Sequence, residues 1–412
     1  MDYEMESQPK RQVLELEPDF LQKISGQNAT LTTALQGHYR QIFAPGARKT
    51  IRPFTPAETS TLLGINENYL RQILSEDPTI PRTMVNARLN FSVHDLHEIR
   101  TRLDKRQAES KTGRRRTYLP HRGEAEELQI IAVMNFKGGS GKTTTTAHLA
   151  QYLALQGYRV LAIDLDPQAS LSALFGHQPE LDVGPDQTLY GAIRYDDRRR
   201  PISDIVRATY IPNLHIIPAN LELMEFEHET PRWLMTKNIE EAPFSQIANA
   251  IRQCEQFYDV ILVDSPPSLG FLTLSALTAA TAIIITLHPQ MLDVLSMRQF
   301  LQMVEDLLTQ IWRVDPGNKS KWMKYLFTRF EPSDGPQNQM AGFLRSLFND
   351  DILIHPMLKS TAISDAGLTN QTIYEVDRQQ FTKSTYDRAL EAMNNVNQEI
   401  KKRIHQAWGR AL

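Results

Sequence analysis

IIAVMNFKGGSGKTTTTAHL, residues Ile130 to Leu149, begins with apolar and β-prone residues, turns through closely spaced glycines and runs on into the helix formers Ala147 to Leu155. Strand, glycine-rich turn and helix in that order are the context a phosphate-binding loop requires. Gly138, Gly139 and Gly141 can take backbone angles closed to other residues, so main-chain N–H groups can approach a polyphosphate at the positive end of the following helix. Lys142 then supplies a cation to the β- and γ-phosphates, and the Thr143 hydroxyl is placed to ligate Mg²⁺. The reading makes Gly138, Gly139, Ser140, Gly141, Lys142, Thr143 and Thr144 nucleotide-binding residues and ATP with Mg²⁺ the cofactors. The common pattern G-x-x-x-x-G-K-[ST] fails by one residue, because Phe136 stands where its first glycine belongs. What fits is K-G-G-x-G-K-T-T, with an additional lysine, Lys137, just before the first glycine.

That pattern resembles the deviant Walker A loop of the ParA/MinD ATPases. The resemblance implies that Lys137 is a second catalytic lysine, reaching across a dimer to the partner's nucleotide.

At 412 residues the chain exceeds the usual size of one core, so more than one domain is expected. A formal charge of −3 gives the whole protein no pull on nucleic acid, and any basic surface must be local. The single cysteine, Cys254, excludes a disulfide within the chain and any cysteine-rich metal site, which points to a reducing compartment. No apolar run reaches the roughly 18 residues needed to span a bilayer, and MDYEMESQPK lacks the charged-then-apolar form of a signal. The expectation is a soluble, cytoplasmic protein.

Residues 1–50 are expected to form an N-terminal helix. Leu21, Ile24, Leu31, Leu35 and Ile42 fall on a heptad-like series, with Asn28 at a seam position where a polar residue can fix register in a dimer. The second region, 51–122, begins with Thr55-Pro56-Ala57-Glu58, a cap, a proline at the first helical position and a glutamate three residues after the cap. That helix should stop at Gly64, and another should start near Asn66. Two short helices hinged on a glycine are a helix-turn-helix arrangement, whose second helix can enter a major groove and would present Asn66, Asn68, Tyr69 and Arg71. TMVNARLNF, Thr83 to Phe91, reads as a small β wing before a capped helix from Ser92, and the whole segment resembles a winged helix of the MerR type. From Arg100 to Arg122 basic residues outnumber acidic ones; this is expected to be a linker that touches DNA phosphates, with Arg114, Arg115 and Arg116 at its centre.

The third region, 123–412, is expected to be the ATPase. YRVLAIDL (158–165) and DVILVD (259–264) read as buried strands that each end on a carboxylate. In a doubly wound sheet ligands sit beyond the carboxyl ends of the strands, which would put Asp164 and Asp166 over the nucleotide. DLDPQ resembles the family's Walker A′ element, which implies that Asp166 orients the attacking water while Asp164 supports the Mg²⁺ shell. Asp264 fits Walker B and would hold Mg²⁺, with Ser265-Pro266-Pro267 as the switch loop. NLHIIP (213–218), AIIITL (282–287) and YLFTRF (325–330) are further strands, and His288-Pro289-Gln290 resembles the loop beside the base and sugar, making Pro289 a nucleotide contact. In the last long helix Leu390, Met393, Val396, Ile400 and Ile404 form a stripe expected to pack in the core; a membrane-seeking helix of the MinD kind is the alternative.

The expected fold is α/β, a deviant Walker P-loop NTPase with a doubly wound, mostly parallel sheet, preceded by an all-α and winged helix-turn-helix N-terminal region. Over nearly its whole length the chain is similar to the large plasmid-partition ParA ATPases with an N-terminal DNA-binding domain, and within them to the RepA partition proteins of repABC operons. Asn135-Phe136 favours this branch over MinD and the nitrogenase iron proteins, which typically have glycine at the position of Phe136. One cysteine per chain is also too few for an iron–sulfur cluster. The resemblance implies a homodimer formed on ATP, non-specific binding to nucleoid DNA in that state, hydrolysis stimulated by a ParB- or RepB-like centromere-binding protein, operator binding through the N-terminal region, and no membrane partner. Around Ile363 to Ala366 the family often has an arginine where this chain has Ala362, and Arg345 and Lys359 are the nearest substitutes for non-specific DNA contact. Two other readings stand beside this one: a repressor that uses ATP only as a conformational ligand, and a MinD-like positioning ATPase.

Overall fold

The computed structural model describes residues 18–42, 49–109, 118–235, 244–314 and 322–410. The chain divides into two units, residues 1–49 and 50–412. In the first, Pro18–Ile42 is one helix, and Phe20, Leu21, Ile24, Leu31 and Leu35 are exposed on it.

In the second unit, the helix Pro56–Leu63 starts on a capping box. Glu58 N–H donates to the Thr55 hydroxyl at 3.3 Å, and Thr55 N–H donates to the Glu58 carboxylate at 2.8 Å. Gly64 ends the helix at φ +64°, and Glu67–Glu76 follows. The wing is the hairpin β1 (Thr83–Val85) and β2 (Arg88–Asn90), turned by Asn86 and Ala87 at positive φ. Ser92 then caps the helix Val93–Glu109 through Asp95 N–H at 3.1 Å.

Among the described residues the main sheet has seven strands. They are β3 (Gln129–Met134), β4 (Val160–Asp164), β5 (Arg207–Ala208), β6 (Leu214–Ile217), β7 (Val260–Asp264), β8 (Ala282–Leu287) and β9 (Trp322–Phe327). The spatial order is β5-β6-β4-β7-β3-β8-β9, parallel throughout except for β5 against β6. Strands β3, β4, β7 and β8 are buried along their whole length, which is why they read as unbroken apolar runs. One face packs Ile131, Val133, Ala162 and Leu262 under the helices Lys142–Leu155 and Lys383–Ala407. The other packs Ile130, Ala132, Ile163 and Val263 under Gln246–Arg252, Phe271–Ala279 and Met291–Val314. Met393, Val396, Ile400 and Ile404 are fully buried, so the stripe on the last helix belongs to the core, and among the described residues no helix is long and apolar enough to cross a membrane.

The winged segment shares the first of these cores, since Phe54, Leu70, Ile73, Ile99 and Leu103 join the same cluster. The boundary expected near residue 123 therefore lies inside one compact unit. The basic run also differs from the expected linker. Arg100 is on the helix Val93–Glu109 and only 4% exposed; its guanidinium donates to Leu62 O and Leu155 O, both at 2.8 Å, and to Tyr118 O at 3.2 Å. Burial pushes its pKa down to about 10. Arg102 pairs with Asp77 and Glu98, Arg106 pairs with Glu76, and Arg122 is bonded to Tyr258 O and Asp259. Arg114, Arg115 and Arg116 lie outside the described residues.

Candidate nucleotide site

The loop from Gly138 to Thr144 runs from β3 into the helix Lys142–Leu155 and lines a cavity of about 690 Å³. Across from it stand Thr328, Arg329 and the segment Met357 to Ser360, with Asp166 and Pro267 also on the wall. Gly141 is at φ +89°, and a Cβ there would come within 3.3 Å of Thr328 Cγ2. Glycine is thus needed both for its backbone angle and for closeness, because Thr328 Oγ1 donates to Ser140 O at 2.7 Å.

Lys142 is buried at the start of its helix, and its ammonium donates to Lys137 O at 3.3 Å. Burial lowers its pKa, against the pull of Asp264 and Asp166. Thr143 Oγ1 donates to Asp264 Oδ2 at 2.7 Å, and Thr146 Oγ1 to Asp264 Oδ1 at 3.3 Å. Asp264 and Asp164 are register partners at the ends of β7 and β4, and both are fully buried. Burial, and then the neighbouring carboxylate of Asp164, raises the pKa of Asp264 well above the usual range; burial pushes Asp164 up to about 7. A carboxylate such as Asp264 with the Thr143 hydroxyl beside it suits Mg²⁺, which binds through one or two carboxylates plus phosphates and waters rather than in an all-protein cage. Thr143 and Asp264 would hold that ion. Among the described residues no cluster of three or more acids, histidines or cysteines is arranged to hold a metal without such help.

Asp164 sits differently from its expected place in the metal shell. Its oxygens accept from Ser172 N–H at 2.8 Å, Ser172 Oγ at 2.7 Å and Asp166 N–H at 3.1 Å, so it fastens the DLDPQ loop from beneath. That fastening presents Asp166, whose Oδ1 accepts from Gln168 N–H at 2.9 Å while the carboxylate faces the cavity. A carboxylate so placed can hold a water or take its proton.

Lys137 and Pro289 are not on the cavity wall. Lys137 is turned to Asp293 on the helix Met291–Val314, with Nζ to Oδ2 at 2.7 Å. Pro289 is buried in the turn after β8, and Thr328, Arg329 and Met357 occupy the wall instead. The sequence signal for Thr328 and Arg329 was their place directly after a strand; Met357 had none. Of the DNA candidates, Asn66 is spent as a helix cap, accepting from Tyr69 N–H at 2.7 Å. Asn68 and Tyr69 are exposed, and exposed Arg71 pairs with Glu67 at 3.3 Å. Arg345, on the helix Gly335–Phe348, donates to Leu353 O and Ile354 O and lies over the Phe327 ring, so it ties the segment after its own helix to the end of β9. Lys359 pairs with Glu331 at the mouth of the cavity.

Residues 128–313 match the family described as AAA domain. The chain is 60% identical over 383 residues to a Rhizobium rhizogenes protein described as a candidate replication protein A, covering 92% of this chain and 93% of that one. It is a member of the ParA family of plasmid-partition ATPases. SopA of Escherichia coli is 27% identical over 374 residues, 88% of this chain and 90% of SopA. A solved structure described as a partition protein has a TM-score of 0.59 at 16% identity, covering 94% of this chain and 99% of that one, and so shares the fold across the winged segment as well. The ParA-type sheet, P-loop and carboxylates are thus set in a scaffold common to these proteins. Cobyrinic acid a,c-diamide synthase from Mycobacterium smegmatis, solved with an ATP analogue and magnesium, has a TM-score of 0.52 at 25% identity over 69% of this chain and 98% of its own.

Proposed function

We propose that this ParA protein, cytoplasmic and associated with the nucleoid, binds ATP and Mg²⁺ at the P-loop cavity, pairs with a second copy in that state, holds DNA non-specifically as a dimer and releases it on hydrolysis, so partitioning a low-copy plasmid or replicon. Lys142 and the loop N–H groups would carry the phosphates, Thr143 and Asp264 the Mg²⁺, and Asp166 the attacking water. A bound metal would neutralise charge developing on the phosphates. A ParB- or RepB-like centromere-binding protein would stimulate turnover, and the winged helix would bind the protein's own operator and repress it. The domain reading that goes with this is a dimerising helix in 1–50, a DNA-reading segment in 51–122 and an ATPase from 123 onward.

The observation that supports this most is that Lys137 stands outside its own cavity, half exposed, beside an intact phosphate loop. A lysine so placed is available to phosphate charge on a second copy. The test is DNA retention on a filter with ATP and Mg²⁺, with ADP, and without nucleotide. Retention and dimerisation that need ATP are expected; a monomer that grips DNA equally in all conditions sinks the reading. Single-turnover hydrolysis then separates an ATPase from a protein that uses ATP only as a ligand, because the latter leaves the γ-phosphate intact.

A further inference from the structure

We infer that Asp293 is a positioning residue that acts through Lys137: it holds the lysine on its own protomer and so opposes nucleotide-driven pairing of two copies. The inference rests on the role proposed above for Lys137 and adds what that lysine must leave behind.

Asp293 lies in the first turn of the helix Met291–Val314 and its side chain is 4% exposed, whereas Lys137 is 45% exposed. Among the described residues Lys137 is the side chain that pairs with it. The main chain of Lys137 is fixed: its N–H donates to Asn135 Oδ1 at 2.8 Å, Asn135 Nδ2 donates to Thr286 O, and Lys137 O accepts from Lys142. Only the flexible side chain remains to move, and its ammonium can exchange one anionic partner for another. Around the pair, Phe136, Met291, Leu292 and Leu295 are exposed apolar side chains. A second copy covering this surface would compete for the ammonium with its own phosphates.

The asymmetry of burial sets the direction of the effect. When Lys137 leaves, a solvent-poor carboxylate is stranded without its counter-charge, which is costly. Pairing of two copies must overcome that cost twice. Asp293→Asn keeps the shape and removes the charge, so the lysine leaves more easily. Lys137→Ala alone strands Asp293 and therefore mixes two losses; only the double variant separates them.

The experiment is sedimentation equilibrium of the full chain with a non-hydrolysable ATP analogue and Mg²⁺, for wild type, Asp293→Asn, Lys137→Ala and Lys137→Ala with Asp293→Asn. Asp293→Asn is expected to lower the dimer Kd about tenfold. In the Lys137→Ala background the same change is expected to leave dimer Kd within about twofold. Asp293→Ser carries the same expectation and stands in if Asp293→Asn fails to fold. A wild type that pairs while neither Asp293 variant pairs more tightly overturns this inference alone, as does a tightening that persists without Lys137. A wild type that stays monomeric overturns the functional reading and this inference together.

Discussion

At Asp166 the proposed chemistry depends on one carboxylate that faces the cavity while Asp164 holds its loop from below. Asp166→Ala is expected to slow hydrolysis by about 10²- to 10⁴-fold, as removal of a group that positions or deprotonates water does, and to leave ATP affinity within a few-fold. Phosphate release measured beside nucleotide binding checks this, and rapid turnover in the variant would move the water-positioning role elsewhere. His148 carries a second prediction. Its Nδ1 must donate to Thr144 O, 2.7 Å away, and its Nε2 must accept from Ile373 N–H at 3.2 Å; burial of the ring pushes its pKa down to about 4, against the opposing pull of the Thr144 bond. The unfolded chain, with His148 near pKa 6.5, binds the proton first as pH falls. The stability from a neutral His148 is therefore complete above pH 6.5 and is lost between there and pH 4, by up to about 3 kcal/mol in all. Urea unfolding at pH 7.5 and pH 5 should show wild type losing about 2 kcal/mol more than His148→Gln; equal losses would remove His148 as the cause. Lys142 and Thr143 were legible in the sequence because their loop carries its own geometry. Thr328 was not, since its hydroxyl meets Ser140 O across 188 residues of chain and nothing local marks that meeting.

Between elements, the joint that stands out is Arg100, a buried cation without a carboxylate. Two of its carbonyl partners, Leu62 O and Leu155 O, end the first helix of the winged segment and the P-loop helix, where the helix dipole favours a positive charge. Arg100→Met keeps bulk and removes three buried hydrogen bonds from a charged donor, so it should destabilise the chain by about 2–4 kcal/mol. It should also open residues 50–109 to protease before the sheet. An unfolding midpoint equal to wild type would reduce the contact to surface decoration. The capped helices and the wing could be read from the sequence because caps and turns are local chemistry. The burial of Arg100 could have been read too, since Leu96, Ile99, Arg100 and Leu103 recur at helical spacing on one face. The density of charge around it suggested a solvated linker instead. Strand β5 was missed for a different reason: two residues, Arg207–Ala208, carry no periodicity, and only pairing with β6 makes them a strand.

For the whole molecule, a formal charge of −3 means that long-range attraction to DNA is absent and that retention must come from patches presented together. The described basic residues of the winged helix and its edges are largely paired: Arg71, Arg102, Arg106 and Arg122 all meet acids or carbonyls, as does Lys359 at the mouth of the nucleotide cavity. Of the three runs of three consecutive basic residues, those at residues 198–200 and 401–403 lie beyond the winged segment, which leaves Arg114, Arg115 and Arg116 as the run beside it. If each neutralises a phosphate, the slope of log affinity against log salt concentration carries about 0.9 for each contact. Replacing all three by alanine should then flatten the slope by up to about 3 for a protomer, and by up to about 5 when two copies are held together. The comparison of the two figures is itself informative. With ATP and Mg²⁺ the larger change is expected, and with ADP the smaller, because only a paired protein presents both runs to one duplex. Titration of DNA binding at several salt concentrations in each nucleotide state measures both slopes. A triple variant with an unchanged slope would show that these arginines do not touch phosphates, while a change identical in ATP and ADP would separate the DNA contacts from the nucleotide cycle.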